Sequence, residues 1–231
     1  MIYKIEVNVL NECGYEEALH GLAKNRKQDD EKMPAVATRL ADKDYGHNKF
    51  LRFIYLWFDV NAPRYWWQEM DTYQFKNDLF FECTKQSEST MNSLIKELFP
   101  IKGHIEQNDH EKIIGDWCDK NFETQSFHLY ELMFNVCREI IHEIDIGEYG
   151  YGSPEMILRI KQHLPECLMQ SRSVCLNYQS LRNMIIQRHR HRLPHWNSFF
   201  DQLLTEIEHP ELLVECDSRY MFLGVKRVWE R

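Results

Sequence analysis

The chain has 231 residues, enough to bury one sizeable core, and 43% of them are hydrophobic, which is typical of a globular protein rather than a disordered one. Its formal net charge of −8 disfavours a general nucleic-acid or membrane-surface binder, because both need a basic face. The sequence shows neither a signal-peptide pattern nor the about 18 to 20 consecutive apolar residues of a membrane span. We therefore expect a cytoplasmic protein without nucleic-acid or membrane partners, folded as a single domain over residues 1–231.

In the first half of the chain, the patterning predicts two strands and three helices. Residues 2–10 alternate between apolar and polar side chains, and residues 50–60 are almost continuously apolar, so both segments are predicted as strands. Pro34 and Pro63 mark a helix start and a strand end, respectively. The predicted helices cover residues 15–24, 35–41 and 64–73.

In the second half, helical periodicity dominates. A helix is predicted to open at a cluster of hydroxyl side chains, and the later apolar positions keep helical spacing. The glycine-rich stretch at residues 147–153 predicts a flexible connection. The predicted helices cover residues 87–98, 110–144, 154–163, 173–189 and 194–207. The tail at residues 213–229 has no clear pattern.

The cysteines and histidines do not form a metal-binding pattern. The seven cysteines are scattered without paired spacing, and their apolar neighbours indicate reduced thiols in the core. His189, His191 and His195 fall on different helical faces, with no carboxylate or cysteine cluster beside them. The sequence therefore predicts no metal site.

The segment at residues 164–196 carries a polar pattern that suits a flat heterocycle. If it is helical, Asn177 and Arg188 lie about three turns apart and share a face. Leu181 and Met184 occupy the same stripe, whereas Asn183 points elsewhere. An amide and a planar guanidinium flanked by apolar side chains suit a flat polar heterocycle, but a helix that is merely capped or paired by Arg188 fits the spacing too.

The same segment resembles the C-terminal half of the flavin-dependent thymidylate synthases. The matching positions, in order, are Leu164-Pro165, Asn177, Ser180, Leu181, Asn183 and Arg188. The resemblance implies that Arg188 contacts the pyrimidine of dUMP and is central to activity. It also implies that Asn177 and Asn183 lie at the flavin and the nucleotide, and that Lys161 contributes to the phosphate site.

The N-terminal half matches this family more loosely. Phe58-x-Val60-x-Ala62-Pro63 resembles the strand that ends just before the signature motif of the family, and Gln68 matches the leading Gln of that motif. The Arg-His-Arg of the motif is absent from residues 71–74. Ser87, Glu88 and Ser89 match the motif that binds the nucleotide phosphate in this family. His47 matches a Gly-His that lies near the flavin, although a structural role for His47 fits equally well. The basic run after Arg188, with Arg190 and Arg192, is hypothesised to replace phosphate-binding charge near FAD.

The resemblance implies an α/β (α+β) fold with a small, mostly antiparallel sheet surrounded by helices. It further implies FAD as cofactor, NADPH and methylenetetrahydrofolate as co-substrates, a homotetramer, and one-carbon transfer to C5 of dUMP that yields dTMP. In this chemistry the flavin carries the redox step and the protein supplies binding and electrostatics. Because Arg-His-Arg is missing, two alternatives stay open: hydroxymethylation or another modification of a pyrimidine nucleotide, and a nucleotide-binding homologue without catalysis.

Overall fold

The computed structural model describes residues 4–26, 30–43, 46–73, 81–83, 107–123 and 126–213. The chain divides into two compact units. Unit 1 contains the described residues within Met1–Asn61, Gln68–Thr84 and Arg172–Arg231, and unit 2 contains those within Ala62–Trp67 and Lys85–Ser171. That residues 1–231 act as a single domain stays a prediction.

Four strands of the described residues form one sheet in the order β1-β2-β4-β3. The strands are β1 (Glu6–Cys13), β2 (Tyr55–Pro63), β3 (Phe81–Cys83) and β4 (Met169–Asn177). The pair β1–β2 and the pair β3–β4 are both antiparallel. Together with the helices given next, this small sheet confirms the predicted α+β fold class.

Eight α-helices lie within the described residues. In chain order they are α1 (Tyr15–Arg26), α2 (Met33–Ala41), α3 (Arg64–Met70), α4 (Gln107–Asn121), α5 (Phe127–Asp145), α6 (Pro154–Gln162), α7 (Tyr178–Arg188) and α8 (His195–Glu206). Short 3-10 turns cover Lys49–Arg52 and Asp71–Tyr73, among others. In the part of the chain described, none of the helices has the length and apolar content needed to cross a bilayer.

Most predicted elements are confirmed, with shifts of a few residues at their ends. The strand predicted at residues 50–60 begins later, at Tyr55, because residues 49–52 form a 3-10 turn. Strand β2 then alternates, with Leu56, Phe58 and Val60 fully buried. The helix predicted at residues 87–98 and nearly all of the tail at 213–229 lie outside the described residues.

Two helix predictions were wrong in their extent. The helix predicted at residues 110–144 is two helices, since Phe122 bridges to Leu168 and the Glu123 N–H donates to the Cys167 carbonyl, which ends α4. The helix predicted at 173–189 starts only at Tyr178. The preceding residues belong to β4, where Cys175 pairs with Phe81. Sheet pairing therefore overrides the helical spacing in this segment.

Helix α8 packs against β1 and is bonded to it by side-chain hydrogen bonds. Its side chain Gln202 accepts a hydrogen bond from Val7 N (3.1 Å) and donates one to the Ile5 carbonyl (2.9 Å), and Glu206 accepts from Val9 N (2.7 Å). These bonds satisfy backbone groups of β1 that the sheet leaves unpaired. Three aromatic residues of the same helix are fully buried in the core of the unit: Trp196, Phe199 and Phe200.

Candidate functional site

The N-terminal end of α7 is built around Asn177. Its backbone is extended and its side-chain Oδ1 accepts from Ser180 N (2.9 Å) and Ser180 Oγ (3.1 Å), which is an N-cap. Tyr178, the first helical residue, donates from its hydroxyl to Glu12 Oε1 (2.6 Å). Burial and this hydrogen bond to a carboxylate raise the pKa of Tyr178 well above its usual range. The polar groups at this end are thus engaged in holding the helix to the sheet.

The shared helical face predicted for Asn177 and Arg188 was wrong. Asn177 ends strand β4 and caps α7, so it does not lie on the helical surface. The apolar stripe between the two residues faces the core, with Leu181 and Met184 almost fully buried. Asn177 and Arg188 instead mark opposite ends of α7, roughly 16 Å apart along an axis that rises about 1.5 Å per residue.

The C-terminal end of α7 carries a compact group that we call the Arg188 cluster: Glu69, Tyr73, Arg188, His191 and Trp196. Arg188 Nε donates to the Tyr73 hydroxyl (2.6 Å), and Arg188 Nη1 lies 3.1 Å from Glu69 Oε2. The guanidinium carbon is 5.3 Å from the ring centre of Tyr73 and 5.4 Å from that of Trp196, within cation–π range. The side chain of Arg188 remains 20% exposed, so solvent still reaches it.

The Arg188 cluster pairs a guanidinium with a carboxylate. His191 Nδ1 accepts from Leu193 N (3.2 Å), and His191 Nε2 lies 3.2 Å from Glu69 Oε2. Burial raises the pKa of Tyr73, although the hydrogen bond and charge of Arg188 oppose this, so the phenol stays protonated at neutral pH.

The residues that follow Gln68, where the sequence lacks Arg-His-Arg, carry carboxylates that pair with arginines. Besides the pair of Glu69 and Arg188, Asp71 Oδ1 lies 2.8 Å from Nη1 of Arg172, whose side chain is only 5% exposed. A third arginine, Arg182, donates to the Ala41 carbonyl (2.8 Å) and lies 3.5 Å from Asp42. Arg172 and Arg182 are structural, and only Arg188 of these three keeps substantial exposure.

The remaining predicted site residues are more dispersed. In unit 1, His47, Gln68 and Arg190 are exposed and Asn183 is half-buried; in unit 2, Lys161 is exposed. Ser87, Glu88 and Ser89 lie outside the described residues. The roles assigned to all of these residues stay predictions.

Sequence reasoning missed four members of the Arg188 cluster. Glu69 and Tyr73 are more than 100 positions away from Arg188 in the chain, so no local pattern links them. His191 and Trp196 were visible just after Arg188, and the dense aromatic and basic composition of that stretch is the one signal that pointed to them.

No metal site emerges from the described residues, and two of their buried thiols are poor candidates for a nucleophile. Within them, no group of three or more His, Cys, Asp or Glu side chains is arranged to hold a metal ion. Burial raises the pKa of Cys118 and of Cys137 to about 12, so these thiols stay protonated and unreactive. A cavity of about 290 Å³ in unit 2 contains none of the predicted site residues. It is lined by Gly115, Cys118, Asp119, Phe122, Ser126, Phe127 and Tyr130.

The fold is similar to that of the flavin-dependent thymidylate synthases. ThyX from Helicobacter pylori complexed with FAD and dUMP superposes with a TM-score of 0.66 at 14% identity, covering 91% of this chain and 99% of that one. A second structure of this ThyX with FAD and dUMP gives 0.63 at 12% identity, covering 91% and 97%. The UMP/dUMP methylase PolB from Streptomyces cacaoi, bound with 5-Br dUMP, gives 0.52 at 10% identity, covering 88% and 90%.

No protein-family model and no curated protein matches the sequence. At identities of 10 to 14%, the structural likeness establishes the fold alone. The activity has to be argued from the residues of this chain.

Proposed function

We propose that the protein binds a dUMP-type nucleotide together with FAD and transfers a one-carbon unit to C5 of dUMP, which gives dTMP. The observation that carries this proposal is the Arg188 guanidinium, which Tyr73 and Glu69 hold in place while its side chain stays 20% exposed. The likeness of the fold, over 91% of this chain and 99% of the other, to a ThyX complexed with FAD and dUMP supports it. NADPH and methylenetetrahydrofolate would be the co-substrates. A cytoplasmic homotetramer is part of the same proposal.

Arg188 is the residue that we propose to contact the pyrimidine. Its guanidinium is held in place by Tyr73 and Glu69, so little side-chain entropy is lost when a ligand binds. A fixed donor that faces a ring carbonyl stabilises negative charge as it develops on the ring during attack through C5. Arg188 thus combines binding with electrostatic stabilisation, which is the role that the resemblance implies.

The donor set at the surface of unit 1 is chemically compatible with FAD. The exposed guanidinium groups of Arg190 and Arg192, and the exposed imidazole of His47, are donors of the kind that hold a diphosphate. When bound, FAD would supply the redox chemistry that no side chain of the protein can provide. Asn183 is proposed to reach the cofactor, and Asn177 to act there through its backbone and amide nitrogen, because its Oδ1 is engaged by Ser180.

The phosphate of the nucleotide is assigned to a separate group of residues. Lys161 is proposed to contribute its charge, together with the hydroxyl groups of Ser87 and Ser89, while Glu88 and Gln68 would orient the nucleotide. A lysine ammonium suits a phosphate as a point charge.

A second candidate function is hydroxymethylation of dUMP or another modification of a pyrimidine nucleotide. The specific observation in its favour is the pairing of Glu69 with Arg188 and of Asp71 with Arg172, in a stretch where the resemblance predicts positive charge. Negative charge in place of the positive charge that the resemblance predicts for this stretch is expected to alter the final step of the reaction more than the binding of the pyrimidine.

A product assay separates these functions. The protein is incubated with FAD, NADPH, methylenetetrahydrofolate and dUMP, and the nucleotides are analysed by mass spectrometry. Formation of dTMP supports the main proposal, and a product heavier than dTMP by one oxygen supports hydroxymethylation. Unchanged dUMP, in a sample that still binds dUMP, would mean a nucleotide-binding homologue without catalysis.

A further inference from the structure

Glu69 makes the Arg188 guanidinium a fixed group. The contacts with the rings of Tyr73 and Trp196 restrict the plane of the guanidinium. Its Nε donates a hydrogen bond to the Tyr73 hydroxyl, and its Nη1 forms an ion pair with Glu69 Oε2. Glu69 Oε2 is a buried atom that lies 3.1 Å from Arg188 Nη1 and 3.2 Å from His191 Nε2, and neither contact has hydrogen-bond geometry. The carboxylate is therefore committed to orienting Arg188 through one of its two oxygens.

Within the described residues, one donor and one acceptor of this ion pair are uncommitted. Neither Arg188 Nη2 nor Glu69 Oε1 takes part in a hydrogen bond with a described residue, and neither belongs to the buried polar atoms that lack a partner. The two side chains are 20% and 26% exposed, so a ligand can reach the pair. The half-buried pair thus has a donor on Arg188 and an acceptor on Glu69 that no described residue uses.

The charge of the pair selects against an anionic ligand. Arg188 and Glu69 carry opposite charges, with Nη1 and Oε2 3.1 Å apart. A phosphate placed against Arg188 Nη2 would also face the carboxylate of Glu69, and this repulsion offsets its attraction to the guanidinium. An uncharged group with its own donor and acceptor meets no such repulsion.

We infer that Glu69 is a specificity-determining residue, which holds Arg188 and, together with it, binds the uncharged imide edge of a pyrimidine, with N3–H donating to Glu69 and the neighbouring carbonyl accepting from Arg188. This inference rests on the proposed function, since it takes uracil as the base. It assigns a ligand group to Glu69, which the sequence did not single out, and it places the phosphate of the nucleotide away from the pair of Arg188 and Glu69.

The test compares dUMP with dUMP methylated at N3, which cannot donate to Glu69. Calorimetry on the full-length protein with FAD present measures both dissociation constants for the wild type, for Glu69→Ala and for Glu139→Ala. Glu139 is the matched control: its carboxylate lies 3.2 Å from a guanidinium, that of Arg159, in unit 2, and its removal changes the net charge equally. Circular dichroism verifies that each variant is folded.

We expect the wild type and Glu139→Ala to bind dUMP at least about tenfold more tightly than the methylated nucleotide, because a hydrogen bond to a charged group contributes that much or more. In Glu69→Ala the two nucleotides should bind equally and weakly. Equal affinities in the wild type, or an undiminished preference in Glu69→Ala, would overturn the inference while leaving the proposed function intact. Failure of the wild type to bind either nucleotide would overturn both.

Discussion

The two ends of helix α7 use their polar residues in different ways. At the N-terminal end, Asn177 Oδ1 caps the helix and the Tyr178 hydroxyl donates to Glu12, so these atoms serve the fold. At the C-terminal end, Arg188 is held by three side chains yet remains 20% exposed. The difference teaches that an immobilised residue becomes a candidate for ligand binding only where part of it is left accessible. Residues at both ends of α7 match the family motif, but the side chain of Asn177 is buried whereas that of Arg188 is partly exposed.

The largest expected effect comes from removing the aromatic support at the C-terminal end. Trp196 is fully buried and packs against Tyr73 and Phe199. Trp196→Ala should lower the free energy of unfolding by about 3–5 kcal/mol, measured by urea denaturation, because it leaves a large cavity. Leu132→Ala, at a side chain that is 46% exposed, is the control and should change it by less than about 0.5 kcal/mol. A loss below about 1 kcal/mol for Trp196→Ala would mean that this cluster does not belong to the core.

The next effect separates a ligand-binding arginine from a structural one. Arg188→Lys keeps the charge but loses the planar fork, so the dissociation constant for dUMP should rise about tenfold or more. Arg182→Lys breaks the bond to the Ala41 carbonyl inside the core and should lower stability instead. Calorimetric titration of both variants with dUMP makes the comparison. The assignment would be wrong if Arg182→Lys weakened nucleotide binding in the folded protein as much as Arg188→Lys.

Alkaline pH should destabilise the fold through the phenol at the N-terminal end of α7. The pKa of Tyr178 is raised in the folded protein, above a value of about 10 in the unfolded chain, so folding favours the protonated phenol. Its stabilising contribution is complete below about pH 10 and is lost as the pH rises towards the folded-state pKa. The free energy of unfolding should therefore fall by up to about 1.4 kcal/mol between about pH 10 and 11 from this group alone.

Tyr178→Phe provides the comparison for that titration. Urea denaturation at several pH values should show a smaller alkaline loss in Tyr178→Phe than in the wild type. An identical loss in both proteins would show that the titration of this phenol does not contribute to the alkaline loss of stability.

The smallest effect concerns the helix cap. Asn177→Ala removes the acceptor for Ser180 and should lower the free energy of unfolding by about 1 kcal/mol, while Asn177→Asp, which keeps an acceptor, should lose less. Both variants should retain dUMP binding if Asn177 is structural. A loss of nucleotide affinity with unchanged stability would instead place Asn177 at the ligand.

The sequence predicted elements well where a single local pattern dominates, and it failed where distant residues decide. Helices α1, α2, α6 and α8 follow from periodicity and proline positions. The strand at residues 173–177 was wrongly predicted as helix. Its pairing with β3 depends on a segment nearly 100 positions earlier in the chain. Strand pairing of this kind leaves no mark in a local window.

The candidate site shows the same division. Arg188 was recognisable from its place in a spaced motif. Its partners Glu69 and Tyr73 were not, because they contact Arg188 only in the folded chain. Asn177 was recognised as a motif position, yet its capping role could be read only after the end of β4 was known.

The most direct test of the central claim is a visible titration of the FAD-loaded protein with dUMP. If the protein holds a pyrimidine nucleotide beside a flavin, the flavin bands should shift as dUMP is added and reach saturation, and the shift should need about tenfold more dUMP in Arg188→Lys. A flavin that does not bind, or one whose spectrum ignores saturating dUMP, would contradict the account and leave the protein with the fold of this class but another function.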